Sequence, residues 1–163
     1  MNNPGPGGVG VYMRRTDRET KNTKQLSFGF RHSTNNEMEL GAILLALTSV
    51  STPAIFTIYT DSQYAIDCLC KWHHSWAKSN WETCKKNKHM IQLIVMIMRY
   101  HTVEFVKVRG HSGDPGNELA DQLAKQGSRS KSKSEVATLI KSADAFIRKH
   151  HTKFASGILS LPF

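Results

Sequence analysis

Three carboxylates and a histidine stand where this 163-residue chain changes character, and they are the residues best placed to do chemistry. Asp61 ends the apolar run Ala54-Ile55-Phe56-Thr57-Ile58-Tyr59-Thr60, and Glu39 sits between Met38 and Leu40 in a segment rich in helix formers. Asp121 comes a turn after the loop Gly110-His111-Ser112-Gly113-Asp114-Pro115-Gly116. Taken singly, each has an ordinary explanation: an Asp after a strand usually caps the next helix, and a Glu on a helix or a His in a loop usually faces solvent. Glu39 is harder to dismiss, because an unpaired carboxylate on a helix that packs against a sheet is costly. Carboxylates that cluster repel one another and persist mainly where a hard cation such as Mg²⁺ neutralises them through oxygen ligands. A histidine in a glycine-rich loop can approach such a centre and retreat, carrying a proton near neutral pH.

The elements that must position these groups are legible from periodicity. Alternating Val9, Val11 and Met13 predict a strand over 8–16, and Leu26, Phe28 and Phe30 a second over 25–31, the two antiparallel. A buried helix is expected over 35–50, an interior strand over 54–60, and helices over 62–72 and 87–100. A strand over 103–108 and a helix over 118–126 complete the body. The order predicts an α/β domain on a mixed sheet.

Four segments taken in order resemble type 1 ribonuclease H. They are Asn3-Pro4-Gly5-Pro6-Gly7-Gly8-Val9-Gly10, Thr34-Asn35-Asn36-Glu37-Met38-Glu39-Leu40, Tyr59-Thr60-Asp61-Ser62-Gln63-Tyr64, and the stretch from Val108-Arg109-Gly110-His111 through Glu118-Leu119-Ala120-Asp121. The resemblance covers roughly residues 2 to 127. It implies a five-stranded mixed sheet flanked by helices, and hydrolysis of the RNA strand of an RNA–DNA hybrid. Two Mg²⁺ ions about 4 Å apart, for which Mn²⁺ can substitute, would serve that reaction, with no other small-molecule cofactor. Glu39, Asp61 and Asp121 correspond to metal ligands and His111 to a mobile proton shuttle.

The same resemblance assigns the nucleic-acid surface. Asn3, Asn35 and Asn36 correspond to residues that read 2′-hydroxyls and base edges, since an amide both donates and accepts. Thr34 and Asn87 correspond to a pocket for a DNA-strand phosphate, with His32 in place of the usual basic residue. Gln63, Tyr64, Trp72 and Trp76 fall on the nucleic-acid side, followed by Lys85, Lys86 and Lys88. Aromatic residues spaced through a basic segment can press on sugars or bases while lysines track phosphates. Trp81 is expected to be structural. His89 stands where an acidic residue is usual.

In the family a first strand precedes the Asn-Pro-Gly-Pro-Gly-Gly turn, lies centrally in the sheet and carries the first catalytic aspartate. Extending the correspondence backwards places that strand upstream of Met1. The expectation is a sheet lacking its central strand, with two rows of backbone groups unpaired, and poor cleavage by the chain as written. A strand supplied by the apolar tail at 157–163 or by another chain could fill the slot, although that tail carries no carboxylate. Two further readings fit the same residues: a hybrid-binding module without catalysis, and the ribonuclease H segment of a retroelement polymerase.

The net charge of +9 favours a polyanionic partner. Residues 1–127 hold 15 basic and 11 acidic side chains, whereas 128–163 hold 7 and 2, so over half the excess lies in the last 36 residues. The domain is expected over 1–127, a basic serine-rich linker over 128–134 and an amphipathic helix with an apolar tail over 135–163, with Ser134 as the N-cap. Cys68, Cys70 and Cys84 are too few for a disulfide framework and badly spaced for zinc. No apolar run approaches the roughly 18 residues of a membrane helix, and the N-terminus lacks a signal-like stretch, which predicts an intracellular protein in cytoplasm or nucleus with no membrane partner.

Overall fold

In the computed structural model, which describes residues 4–14, 16, 23–110 and 113–150, two strands open the chain. Strand β1 (Gly5–Arg14) pairs antiparallel with β2 (Thr23–Ser33), Val9 opposite Phe28, with a bulge between Gly5 and Gly7. Helix α1 (Asn35–Thr48) then starts on a capping box: Thr34 Oγ1 accepts from Glu37 N at 3.1 Å, and Glu37 Oε1 accepts from Thr34 N at 2.9 Å. Strand β3 (Ile55–Thr60) leads through α2 (Gln63–Asp67), a π-turn (Cys68–Trp72), α3 (His73–Lys78) and α4 (Lys88–Tyr100) into β4 (Thr102–Lys107). The crossover makes β3 and β4 parallel, with Thr60 opposite Lys107. Helices α5 (Pro115–Arg129) and α6 (Val136–Lys149) follow.

The four strands form two separate two-stranded ladders, β1 with β2 and β3 with β4. Among the described residues no ladder joins β1 to β3, where the resemblance implies the central strand. The consequence is written on β3, where Ile55 is 84% and Tyr59 60% exposed, unusual for apolar side chains of an interior strand. One core nevertheless underlies both ladders. Leu40, Leu44 and Leu47 of α1 and Ile91, Ile94 and Ile97 of α4 are buried with Val9 and Phe30.

Helix α5 lies against the other face of β1 and β2, and glycine makes the approach possible. A Cβ on Gly8 would overlap the Ala124 carbonyl oxygen, one on Gly10 that of Ala120, and one on Gly127 the backbone of Phe28. Ser27 Oγ donates to the Leu123 carbonyl at 2.6 Å across the same junction.

The C-terminal segment is bound into the body. Ser128 and Arg129, expected in a linker, belong to α5, and Ser134 bonds to strand β2, donating to Gly29 O at 2.8 Å and accepting from Arg31 N at 3.1 Å. Ser134 is therefore not the N-cap of α6; Glu135 holds that position without a side-chain cap bond and faces Arg31 at 3.2 Å. Leu139, Ala143 and Phe146 are buried, and Phe146 meets Tyr100 edge to face at 5.5 Å. His89 gains a partner here, Asp144 at 3.8 Å. Cys68 and Cys84 are buried and Cys70 is exposed, all as free thiols. Residues 151–163, with the apolar tail, lie outside the described residues. No described helix is long and apolar enough to cross a membrane.

Two predictions follow from this packing. Gly127→Ala is expected to cost about 1–3 kcal/mol or more in denaturant unfolding, because backbone on both sides must separate. Gly116→Ala, whose added methyl meets nothing nearer than 3.5 Å, is the matched control. The second concerns His101, which is buried with Nδ1 accepting from Ala54 N at 3.0 Å, so that Nε2 is left to donate to Leu47 O at 2.9 Å. Burial, with His150 nearby, holds its pKa below the usual 6.5. The unfolded chain then takes up this proton before the folded one does. Stability should be full above the ordinary histidine range and fall as pH drops below it. Melts at about pH 7.5 and about pH 5 check this, with a flatter dependence expected for His101→Gln.

Candidate active site

The local geometry of each carboxylate removes its ordinary explanation. Asp61 follows β3, yet the cap of α2 is Ser62, whose Oγ accepts from Ala65 N at 3.1 Å, while Thr60 Oγ1 accepts from Ser62 N at 3.1 Å. In α5 the cap is Asp114, which accepts from Asn117 N at 2.8 Å, and Asp121 lies beyond the first turn. Both aspartates are thus spared capping duty.

Electrostatics bring the three together. The Glu39 carboxyl is pushed up to about 7, first by burial and then by the negative charges of Asp61 and Asp121. Lys107 acts in the opposite direction, holding Glu39 down. Its ammonium donates to the Asp61 carbonyl oxygen, and Thr60 and Lys107 face each other across the parallel ladder. Gly110 closes the far side of Asp61, since a side chain there would start 3.1 Å from Asp61 Oδ2. Neither residue was singled out from the sequence. Lys107 reads as one polar position in a strand, and only the register with β3 places it at the site.

Among the described residues, no three His, Cys, Asp or Glu side chains converge closely enough to cage an ion as they stand. The donor set still fits a hard cation: oxygen ligands only, with Glu39 raised first by burial and then by the charges of Asp61 and Asp121. His111 and Asn3 fall outside the described residues.

The remaining sequence-derived positions form two groups. Thr34, Asn35 and Asn36 open α1, one turn before Glu39, with both asparagines and His32 exposed. Gln63 and Tyr64 follow Asp61 directly; Gln63 is exposed and donates to Asp67 Oδ1 at 3.0 Å. An aromatic series runs on from there, Tyr64 to Trp72 at 6.4 Å, Trp72 to Trp76 at 6.1 Å and Trp76 to Trp81 at 6.0 Å between ring centres. Trp72 is open to solvent, Trp76 half-buried and Trp81 fully buried in a left-handed conformation, φ 66°. That burial agrees with a structural part for Trp81. Asn87, also left-handed, donates through Nδ2 to the Tyr64 hydroxyl at 2.9 Å, and Lys85, Lys86 and Lys88 beside it are exposed.

The body is a mixed α/β fold with acidic side chains from three elements within electrostatic reach of one another, and comparison with known proteins gives its class. The family profile described as RNase H matches residues 1–129. A ribonuclease H of Bradyrhizobium diazoefficiens is 41% identical over 129 residues, covering 77% of this chain and 81% of its own. A ribonuclease HI of Pasteurella multocida is 40% identical over 141 residues, 83% of this chain and 88% of its own. In fold the chain is similar to LC9-RNase H1, a type 1 RNase H with the type 2 active-site motif, at TM-score 0.64 and 20% identity, over 90% of this chain and 86% of that one. It is likewise similar to the RNase H domain of PFV, at TM-score 0.60 and 23% identity, over 74% of this chain and 81% of that one. The chain belongs to the ribonuclease H family of endonucleases.

The raised Glu39 carboxyl carries a sign that can be checked. Its folded value of about 7 lies above the ordinary 4.5, so the metal-free folded protein is penalised when Glu39 is ionised and relieved as pH falls from about 7 toward 4.5. Glu39→Gln is therefore expected to stabilise the metal-free protein at neutral to alkaline pH, by on the order of 1–3 kcal/mol. The gain should vanish toward about pH 4.5 in matched denaturant melts.

Proposed function

We propose that the chain binds RNA–DNA hybrids and hydrolyses the RNA strand, with Glu39, Asp61 and Asp121 as ligands of a two-ion Mg²⁺ site. The observation that carries this reading is a half-buried Glu39 that feels the charges of Asp61 and Asp121, carboxylates from two other elements, in a chain of this family. Bound Mg²⁺ would supply Lewis acidity toward a phosphodiester. The protein's own residues hold and orient: Asp61 is fixed between Gly110 and Lys107, and Glu39 is fixed by a helix whose first turn presents Asn35 and Asn36 for minor-groove contacts. Thr34, His32 and Asn87 serve a backbone phosphate. Tyr64, Trp72 and Trp76, with the lysines at 85, 86 and 88, press on and track the DNA strand. His111 moves the proton.

Cleavage by this chain alone is proposed to be weak. Only Asp61 and Asp121 bear on Glu39 among the described residues, and the β1 and β3 edges that would flank a central strand are not laddered to each other. A strand supplied by another chain, pairing with both edges, would join the ladders and could bring a fourth carboxylate. The test combines binding and cleavage of an end-labelled hybrid. The expected result is preferential hybrid binding over duplex DNA, weakened by Trp72→Ala, with faint Mg²⁺-dependent RNA cleavage that Asp61→Asn reduces to background. Vigorous cleavage sensitive to Asp61→Asn would overturn the impairment, and equal affinity for duplex DNA would overturn the substrate.

A further inference from the structure

We propose that Lys107 is a resident counter-cation of the carboxylate cluster, which a divalent ion must displace or outcompete, so that this lysine sets how tightly the site takes its metal. The inference rests on the proposed metal-binding role of Glu39, Asp61 and Asp121 and concerns a residue that the motif does not include.

Geometry places the ammonium there. Parallel pairing sets Lys107 opposite Thr60, the last residue of β3, so its side chain leaves the ladder at the end where Asp61 stands. Val108 N donates to Thr60 O at 3.0 Å and carries that register one residue further. The Lys107 ammonium, though solvent-exposed, then donates to the Asp61 carbonyl oxygen, which anchors the charge on the main chain of the residue that bears the carboxylate. Among the described residues it is the cation that opposes the two aspartates at Glu39. With all three carboxylates ionised, one ammonium leaves a net charge of −2.

The anchor is a main-chain oxygen, so the ammonium compensates the carboxylates without occupying their lone pairs. The ligand oxygens stay open to a divalent ion, but the ion arrives against a positive charge anchored on the main chain of Asp61 itself. At such separations a unit charge changes divalent affinity by roughly tenfold even with strong solvent screening. Lys107 thereby guards the cluster against self-repulsion when no ion is bound and weakens its hold once one arrives.

A purely structural role would behave differently. If Lys107 served only to pin the Asp61 carbonyl, its loss would loosen Asp61 and weaken metal binding.

The measurement is Mn²⁺ and Mg²⁺ affinity of the full chain by calorimetry, with paramagnetic broadening by Mn²⁺ to locate the ion. Lys107→Met, which keeps the aliphatic stem, is expected to bind the divalent ion about tenfold more tightly. Lys107→Arg should stay near the wild-type value. Unchanged or weaker binding in Lys107→Met would overturn the inference. Should the wild type bind no ion, or Asp61→Asn bind as well as the wild type, the metal site itself would fail instead.

Discussion

The close approach of α5 to β1 and β2 is the constraint on which the site depends. Glycines at 8, 10, 29 and 127 let helix backbone rest on strand backbone with no side chains between. A helix held at ordinary side-chain distance would carry Asp121 away from Glu39, whose helix α1 packs on the other face of β1. The same contact explains why α5 stays ordered through Arg129, two residues past the point where composition suggests a linker. Packing of main chain on main chain tolerates no added methyl, so the geometry of the cluster is protected by the absence of side chains elsewhere.

Placing Glu39 within electrostatic reach of Asp61 and Asp121 sets the charge problem on which the proposed chemistry rests. Burial and like charge act in the same direction on Glu39, and among the described residues Lys107 acts against them. The hydrogen bonds around the aspartates show how the fold keeps them available, because Ser62 and Asp114 satisfy the helix N-termini in their place. Among the described residues β3 is laddered on one side only, to β4, and Asp61 follows directly from that strand.

Much of the fold was legible in the sequence because its signals are local. The 3.6-residue periodicity of α4 and α5 and the apolar run of β3 set those elements to within a few residues. The seating of Ser134 is not legible in the sequence for a physical reason: it gains its partners from the edge of β2, a strand a hundred residues earlier, and alternation of serine with lysine carries no trace of that edge. The π-turn at Cys68–Trp72 was likewise invisible, since it depends on how the helix must turn to pack Cys68 and Leu69 while leaving Trp72 exposed.

The sequence by itself determined the residue types of the site, their order and the family they belong to, because carboxylate chemistry and motif spacing are properties of the chain. Tertiary structure alone decided that Lys107 joins the three acids and that Gly110 backs Asp61, through a parallel register between strands some 40 residues apart. It alone decided that the C-terminal helix is part of the core and that the strands pair as two ladders. Such facts depend on which edges meet and which faces are covered. Those are long-range outcomes of packing, and no short window of residues encodes them.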